Sequence, residues 1–329
     1  MSGLILSIAA GVIPMILYAG FLYYLDRYEK EPIKLLAGMF LWGSLIAAGI
    51  SFLINSVSSL GFFIITQSDL ATQLATSTFV APLVEETLKG AAILIVFLLF
   101  HPEFDSPLDG IVYGGIAALG FAATENVWYI HQFGYLPGGV QGLLEISLIR
   151  VVLVGWQHPF YTAFTGLGFA LSRQSKDKVW QWIYPLIGWS FAVMFHLLHN
   201  LFAVLASNTG NNSTFNLVWD WSGYLGLFVL ILLLIRREQK WMKVYLAQEM
   251  ENGLINSHQY QIACSAWRQG LTYLSSILRG NFLQSRRFYQ VCGDLMHISR
   301  HSARFGDSPD NIKEAARLRS LLTSLSSIV

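Results

Sequence analysis

The chain has 329 residues, 54% hydrophobic and only 12% charged, with a mean hydropathy of +0.49 and a formal net charge of +1. That composition excludes an ordinary soluble domain and indicates a polytopic membrane protein. The two cysteines, Cys264 and Cys292, match no metal spacing, which excludes a disulfide framework and a zinc knuckle and leaves two ordinary thiols.

Seven apolar stretches, each near the roughly 20 residues that cross a hydrocarbon core, predict an all-α transmembrane bundle. They cover 3–24, 35–57, 75–99, 108–130, 145–171, 182–205 and 217–235. No basic residue precedes the first, and its aromatic exit at Tyr18–Tyr24 is not a small-residue cleavage site, so it is read as a helix rather than a signal peptide. The charged turn Asp26-Arg27-Tyr28-Glu29-Lys30-Glu31-Pro32 follows, read as a membrane-edge anchor. Residues 58–74 stay apolar around Phe62, Phe63, Ile64 and Ile65, so the second helix is either long and tilted or followed by an interfacial segment.

Lys and Arg collect on alternate connections. Arg27, Lys30 and Lys34 follow the first stretch, Arg173, Lys176 and Lys178 the fifth, and Arg236, Arg237, Lys240 and Lys243 the seventh; loops 58–74, 131–144 and 206–216 carry none. The bias predicts an N-terminus outside and a C-terminus in the cytoplasm. Two regions are expected: a transmembrane domain over 1–235 and a small helical cytoplasmic domain over 236–329. The latter has 13 Lys plus Arg against 7 Asp plus Glu, the former 8 against 13. Asn252-Gly253, Gly280-Asn281 and Ser308-Pro309-Asp310 mark helix boundaries in the tail. Its basic surface suits anionic lipid; scattered charges and location argue against nucleic acid.

Ionisable residues inside the apolar stretches carry the chemistry, since a charge at bilayer depth costs roughly 2.5–3.5 kcal/mol unless it is partnered. In Val84-Glu85-Glu86-Thr87-Leu88-Lys89, Lys89 lies at i+4 from Glu85 and i+3 from Glu86, so it can hold one carboxylate while the other, about 100° away, acts as a general base. In Phe121-Ala122-Ala123-Thr124-Glu125-Asn126, Phe121 and Glu125 share a face, and the aromatic can orient the carboxylate of a ligand or base. His158 precedes Pro159, which is expected to kink its helix. Arg150, nearer the outside, is read as snorkelling or pairing with Glu145. In His196-Leu197-Leu198-His199-Asn200, His196 and Asn200 share a face suited to a metal or an oxyanion, and His199 is displaced by about 60°.

These motifs, in this order, resemble those of the PrsW-type intramembrane proteases, within the broader superfamily that includes the CAAX prenyl endopeptidases. Glu85-Glu86-x-x-Lys89 is similar to the family's E-E-x-x-K, Phe121-x-x-x-Glu125-Asn126 to F-x-x-x-E-N, His158 to an isolated histidine motif, and His196-x-x-x-Asn200 to H-x-x-x-N. The prenyl-protease branch has histidine where this chain has Glu125, so prenylated substrates do not carry over. The resemblance implies cleavage of a membrane-anchored protein within the bilayer, in the PrsW case an anti-sigma factor. It also implies site roles: Glu85 or Glu86 activates water, His158 and His196 hold a divalent metal, zinc by preference, with Glu125 as third ligand, and Asn200 holds the oxyanion; Lys89, Asn126 and His199 support them. A metal-free glutamate protease is the alternative chemistry. The alternative class is an ion- or proton-coupled transporter, against which stands the lack of an internal repeat. Counting residues at about 1.5 Å each places the site at or outside the midplane, with extracytoplasmic access.

Overall fold

In the computed structural model of the protein, which describes residues 2–100, 104–209 and 214–326, every regular element among the described residues is helical. Helix α1 (Ser2–Leu25) has an inside-out pattern: Gly3, Ser7, Gly11 and Met15 face inward at steps of four, while Ile5, Ile13, Ile16 and Leu17 are more than half exposed. Small residues inward and large apolar ones outward are what lipid solvent selects, because tight packing replaces hydrophobic burial as the glue between helices. By length and composition, five helical runs can cross a membrane: Ser2–Leu25, Ile33–Thr66, Pro107–Gln174, Lys178–Asn208 and Thr214–Glu251. The chain is a multi-pass integral membrane protein.

The runs do not fall one to one on the seven expected stretches. Helix α2 (Ile33–Thr66), which contains a π-helical turn at Trp42–Ala47, continues past residue 57 and ends at Gln67, the one non-glycine residue with positive φ among the described residues. Helix α3 (Ala81–Leu99), entered through a short helix at Asp69–Gln73 and a π-helical turn at Leu74–Val80, carries Glu85, Glu86 and Lys89 and is not among the five. The fourth and fifth stretches fall within one 68-residue run made of helix α4 (Pro107–Tyr129), a π-helical turn, helix α5 (Leu136–Ser147), a second π-helical turn at Leu148–Leu153 and helix α6 (Gln157–Gln174). Expected loop 131–144 is thus helical and reverses at Gly139 (φ 58°), a backbone conformation glycine adopts without steric cost. Pro159 sits in the first turn of α6, where its missing N–H costs nothing, so it starts a helix instead of kinking one. Helices α7 (Lys178–Thr209) and α8 (Thr214–Tyr245) follow; residues 210–213 of the expected loop 206–216 lie outside the described residues.

The chain divides into two compact units, Met1–Tyr24 with Glu31–Leu230, and Leu25–Lys30 with Ile231–Val329. In the first, α4 is the hub, buried from Pro107 through Ala123. It packs on α6 where Gly110 meets Gly166: a β-carbon on either would run into the other's carbonyl. Ala117 meets α2 at Gly43 in the same way. Glycine is required at such approaches because backbone touches backbone.

The second unit packs helices α9 (Ala247–Glu251), α10 (Ser257–Ala263), α11 (Ala266–Leu278), α12 (Phe282–Phe305) and α13 (Pro309–Ser326) with the last turns of α8. Its core includes Met242, Leu246, Phe288, Leu295 and Leu318, and Tyr28 is buried among them. The turn expected to be a membrane-edge anchor therefore contributes a core side chain, and the Arg27 guanidinium donates to the Ala266 carbonyl (2.6 Å). Gly253 and Gly280 take positive φ at the expected breaks, and the Ser308 hydroxyl caps α13 by accepting from the Asn311 amide (3.1 Å). Both thiols are free and buried, and burial pushes that of Cys264 up to about 11.

Since the Gly110–Gly166 contact seats α6 on α4, a Gly166→Val substitution should destabilise the purified protein by about 1–3 kcal/mol, the usual cost of overpacking. Thermal unfolding in detergent measures it.

Candidate active site

Glu86 is the centre of the polar cluster. Its position on α3, one turn in from Pro82, points it into the bundle, where it is fully buried. Lys89 Nζ (2.8 Å) and His196 Nδ1 (3.0 Å) donate to its Oε1, and the Thr162 hydroxyl donates to its Oε2 (2.8 Å). Three helices, α3, α6 and α7, thus meet on one carboxylate.

Glu85 is held more loosely. Asn55 Nδ2 donates to its Oε1 at 3.4 Å, and Lys89 Nζ lies 3.6 Å from its Oε2. That Oε2 is buried with no hydrogen-bond partner. It faces His196 Nε2 at 3.8 Å.

His158, in the first turn of α6, donates from Nε2 to Glu125 Oε2 on α4 (2.8 Å). Arg150 donates to the same oxygen, and its Nε donates to Asn126 Oδ1 (3.1 Å). Arg150 therefore pairs with Glu125 rather than Glu145, whose carboxylate accepts from Gln141 (3.0 Å). The guanidinium stacks 4.3 Å from the Tyr129 ring, and Lys89 Nζ sits 4.0 Å over Phe121. The Asn126 amide nitrogen is buried without an acceptor.

Tautomers follow from these contacts. Ionised carboxylates only accept, so the proton of His196 is on Nδ1 and that of His158 on Nε2. The lone pairs are then on His196 Nε2 and on His158 Nδ1, the latter accepting from Lys89 Nζ at 3.2 Å. Glu85 Oε2 and His196 Nε2 stand face to face, an arrangement that a proton on Glu85, a shared donor or a cation would satisfy.

The donor set suits a metal. Glu85, His158 and His196 offer ligand atoms all within 4.8 Å of one another. Two imidazoles and a carboxylate are a known catalytic zinc set, and each imidazole is braced by a second carboxylate, as metal-bound histidines generally are. Three carboxylates, Glu85, Glu86 and Glu125, face two fixed cations, Lys89 and Arg150, in this cluster. The surplus negative charge is one that a divalent cation would offset.

The region from α2 to α8 matches the family model described as PrsW family intramembrane metalloprotease over residues 31–241. The chain belongs to the PrsW family of intramembrane proteases. Similar proteins include Protease PrsW of Geobacillus kaustophilus, 29% identical over 227 residues that cover 68% of this chain and 86% of that protein. Protease PrsW of Bacillus subtilis is 31% identical over 176 residues, 52% of this chain and 71% of that one. That of Clostridioides difficile is 36% identical over 119 residues, 36% and 48% respectively. No solved structure matches. The protein is an intramembrane protease, and the transporter alternative is not favoured.

Of the residues singled out in sequence, Glu85, Glu86, Lys89, Glu125, Asn126, His158 and His196 come together. His199 and Asn200 do not join them: His199 Nδ1 pairs with Asp220 on α8 (2.9 Å), and Asn200 Nδ2 donates to the Ser77 carbonyl (2.7 Å). Sequence reasoning passed over Arg150 as a participant, and missed Thr162, Asn55 and Asp220. Thr162 lies at i+4 from His158, one face of one helix, and Asn55 and Asp220 are polar residues in apolar stretches, which was signal enough.

Arg150 and Glu125 act as a unit on His158. Arg150→Met and Glu125→Gln should each depress kcat/KM. The double variant should be no worse than the poorer single one, a coupling of about 1–3 kcal/mol. A double-mutant cycle on peptide cleavage in detergent reads it.

Proposed function

We propose that the protein hydrolyses a peptide bond of a membrane-anchored protein at Glu85, with His196 and His158 completing the centre. The observation that carries this reading is the 3.8 Å approach of Glu85 Oε2 to His196 Nε2, two groups close enough for one water held beside them to reach both. Glu85 takes a proton from that water as its oxygen attacks the substrate carbonyl, and returns the proton to the amide nitrogen as the C–N bond breaks. Glu86 keeps His196 in register and Glu125 does so for His158, while Lys89 balances the carboxylates. Asn200 spends one N–H on the Ser77 carbonyl, and the buried, unspent amide of Asn126 supports the oxyanion role for that residue instead.

In the alternative in which Glu85 is a ligand rather than the base, a zinc ion held by Glu85, His158 and His196 would lower the pKa of its bound water and polarise the carbonyl. The metal-free reading draws on one contact, Lys89 Nζ at 3.2 Å from His158 Nδ1, which places an ammonium where a metal would compete for that lone pair. Metal analysis separates them. Stoichiometric zinc, absent from the His158→Ala/His196→Ala variant and needed for activity, supports ligation; full activity in metal-free protein rejects it.

An anti-sigma factor or similar regulator is the substrate class that the family resemblance supports. The charge bias of the connections supports an N-terminus outside, a cytoplasmic C-terminus and an extracytoplasmic opening, and the basic tail supports contact with anionic lipid. In proteoliposomes with candidate single-span substrates, Glu85→Gln should lower cleavage by about 10³-fold or more, and Asn126→Leu by about 10²–10³-fold. Unchanged cleavage by Glu85→Gln would sink the assignment. Proteomics of membranes carrying Glu85→Gln, searched for precursors that accumulate, identifies the substrate.

A further inference from the structure

Helix α11 is amphipathic the wrong way round for a soluble domain. Its inward face carries Gln269 and Ser276, both buried, the first donating to the Ala263 carbonyl (2.9 Å) and the second to that of Tyr273 (2.8 Å). Its outward face carries Trp267, Leu271, Leu274 and Leu278, at steps of four, three and four, with exposures of 76%, 51%, 64% and 91%. Ile277 (58%) and Leu283 (74%), just past the helix, widen the patch. A run of large apolar side chains this exposed marks a surface that something covers.

Charge says what covers it. From residue 252 to residue 293 there is no Asp or Glu, while Arg268, Arg279, Arg286 and Arg287 fall within that stretch. Arg268, Arg279 and Arg287 are exposed. Beside the apolar stripe a cavity of about 470 Å³ is lined by His258, Arg268, Thr272, Ser275, Arg279 and Ser285 among others, with no carboxylate in its wall. An apolar stripe with a tryptophan, flanked by arginines and free of acids, is the composition of helices that lie in the headgroup region of anionic bilayers. The same chain is embedded in a bilayer, which keeps that partner at high local concentration.

We propose that α11 is a bilayer-seating helix, its Trp267–Leu278 stripe sunk into the interfacial layer of an anionic phospholipid leaflet and Arg268 and Arg279 on the lipid phosphates. The proposal deepens the reading of the tail as lipid-contacting and does not depend on the chemistry at Glu85.

The test uses the full chain in nanodiscs of phosphatidylcholine alone or with a third phosphatidylglycerol. A nitroxide is placed at Leu274→Cys, with Asp310→Cys, exposed on α13, as the control. Because Leu274 points outward, the substitution leaves the core intact, and nanodiscs present both leaflets, so a reversed orientation leaves the test valid. Collision with oxygen relative to a water-soluble nickel complex should rise several-fold at Leu274→Cys in the anionic discs. The rise should be lost in Arg268→Gln/Arg279→Gln, with the control wet throughout. A Leu274→Cys label equally wet in both compositions overturns the proposal. So does shielding that appears only with two copies per disc, which would mark a second chain as the cover.

Discussion

Everything in the transmembrane unit is arranged around one buried carboxylate. Glu86 accepts from Lys89, His196 and Thr162 and so ties three helices by charge-assisted hydrogen bonds in surroundings where no water competes. Removing a single partner leaves an uncompensated charge, a loss of about 3–5 kcal/mol in buried pairs. The cluster is therefore held together as a whole: Lys89 needs Glu86, His196 takes its tautomer from it, and the lone pair facing Glu85 exists because the other nitrogen is spent. Glu125, braced by Arg150, does for His158 what Glu86 does for His196.

Such a cluster forms only if helices approach closely enough for short side chains to meet. The Gly110–Gly166 and Gly43–Ala117 contacts supply that closeness. Aromatic rings then fix the histidines sideways: Tyr161 stacks on His196 at 4.8 Å, and Phe121 lies 5.2 Å from His158. Packing and electrostatics are thus two halves of one device, glycines setting the distance and carboxylates the orientation.

Much of this was legible in the sequence because helical spacing is a strong constraint. Glu85, Glu86 and Lys89 are bound to share a neighbourhood, and polar residues in apolar stretches are bound to seek one another. Three things were hidden. The 60° offset between His196 and His199 is enough to send the latter to Asp220, a partner no local pattern announces. Asn200 shares a face with His196, yet the carbonyl of Ser77, inside a π-helical turn, captured its amide. The partner of Arg150 was misread because residues 145–171 were taken as a single span, kinked at Pro159 alone. The π-helical turn at Leu148–Leu153 and the break at residues 154–156 instead bring it to Glu125. Irregular backbone inside an apolar stretch leaves little trace in composition.

Tyr28 gives the second unit an unusual dependence on the rest of the polypeptide. Its ring is packed with Phe288, Cys292 and Leu295, and its carbonyl lies where any side chain on Gly293 would have to go. More than two hundred residues separate these partners. During synthesis the loop emerges early and must wait, solvated, until the distant helices have been translated before its slot exists. Closing so long an interval is slow and entropically expensive. The core of this unit is therefore complete only when a segment from the start of the chain and helices from its end are both in place.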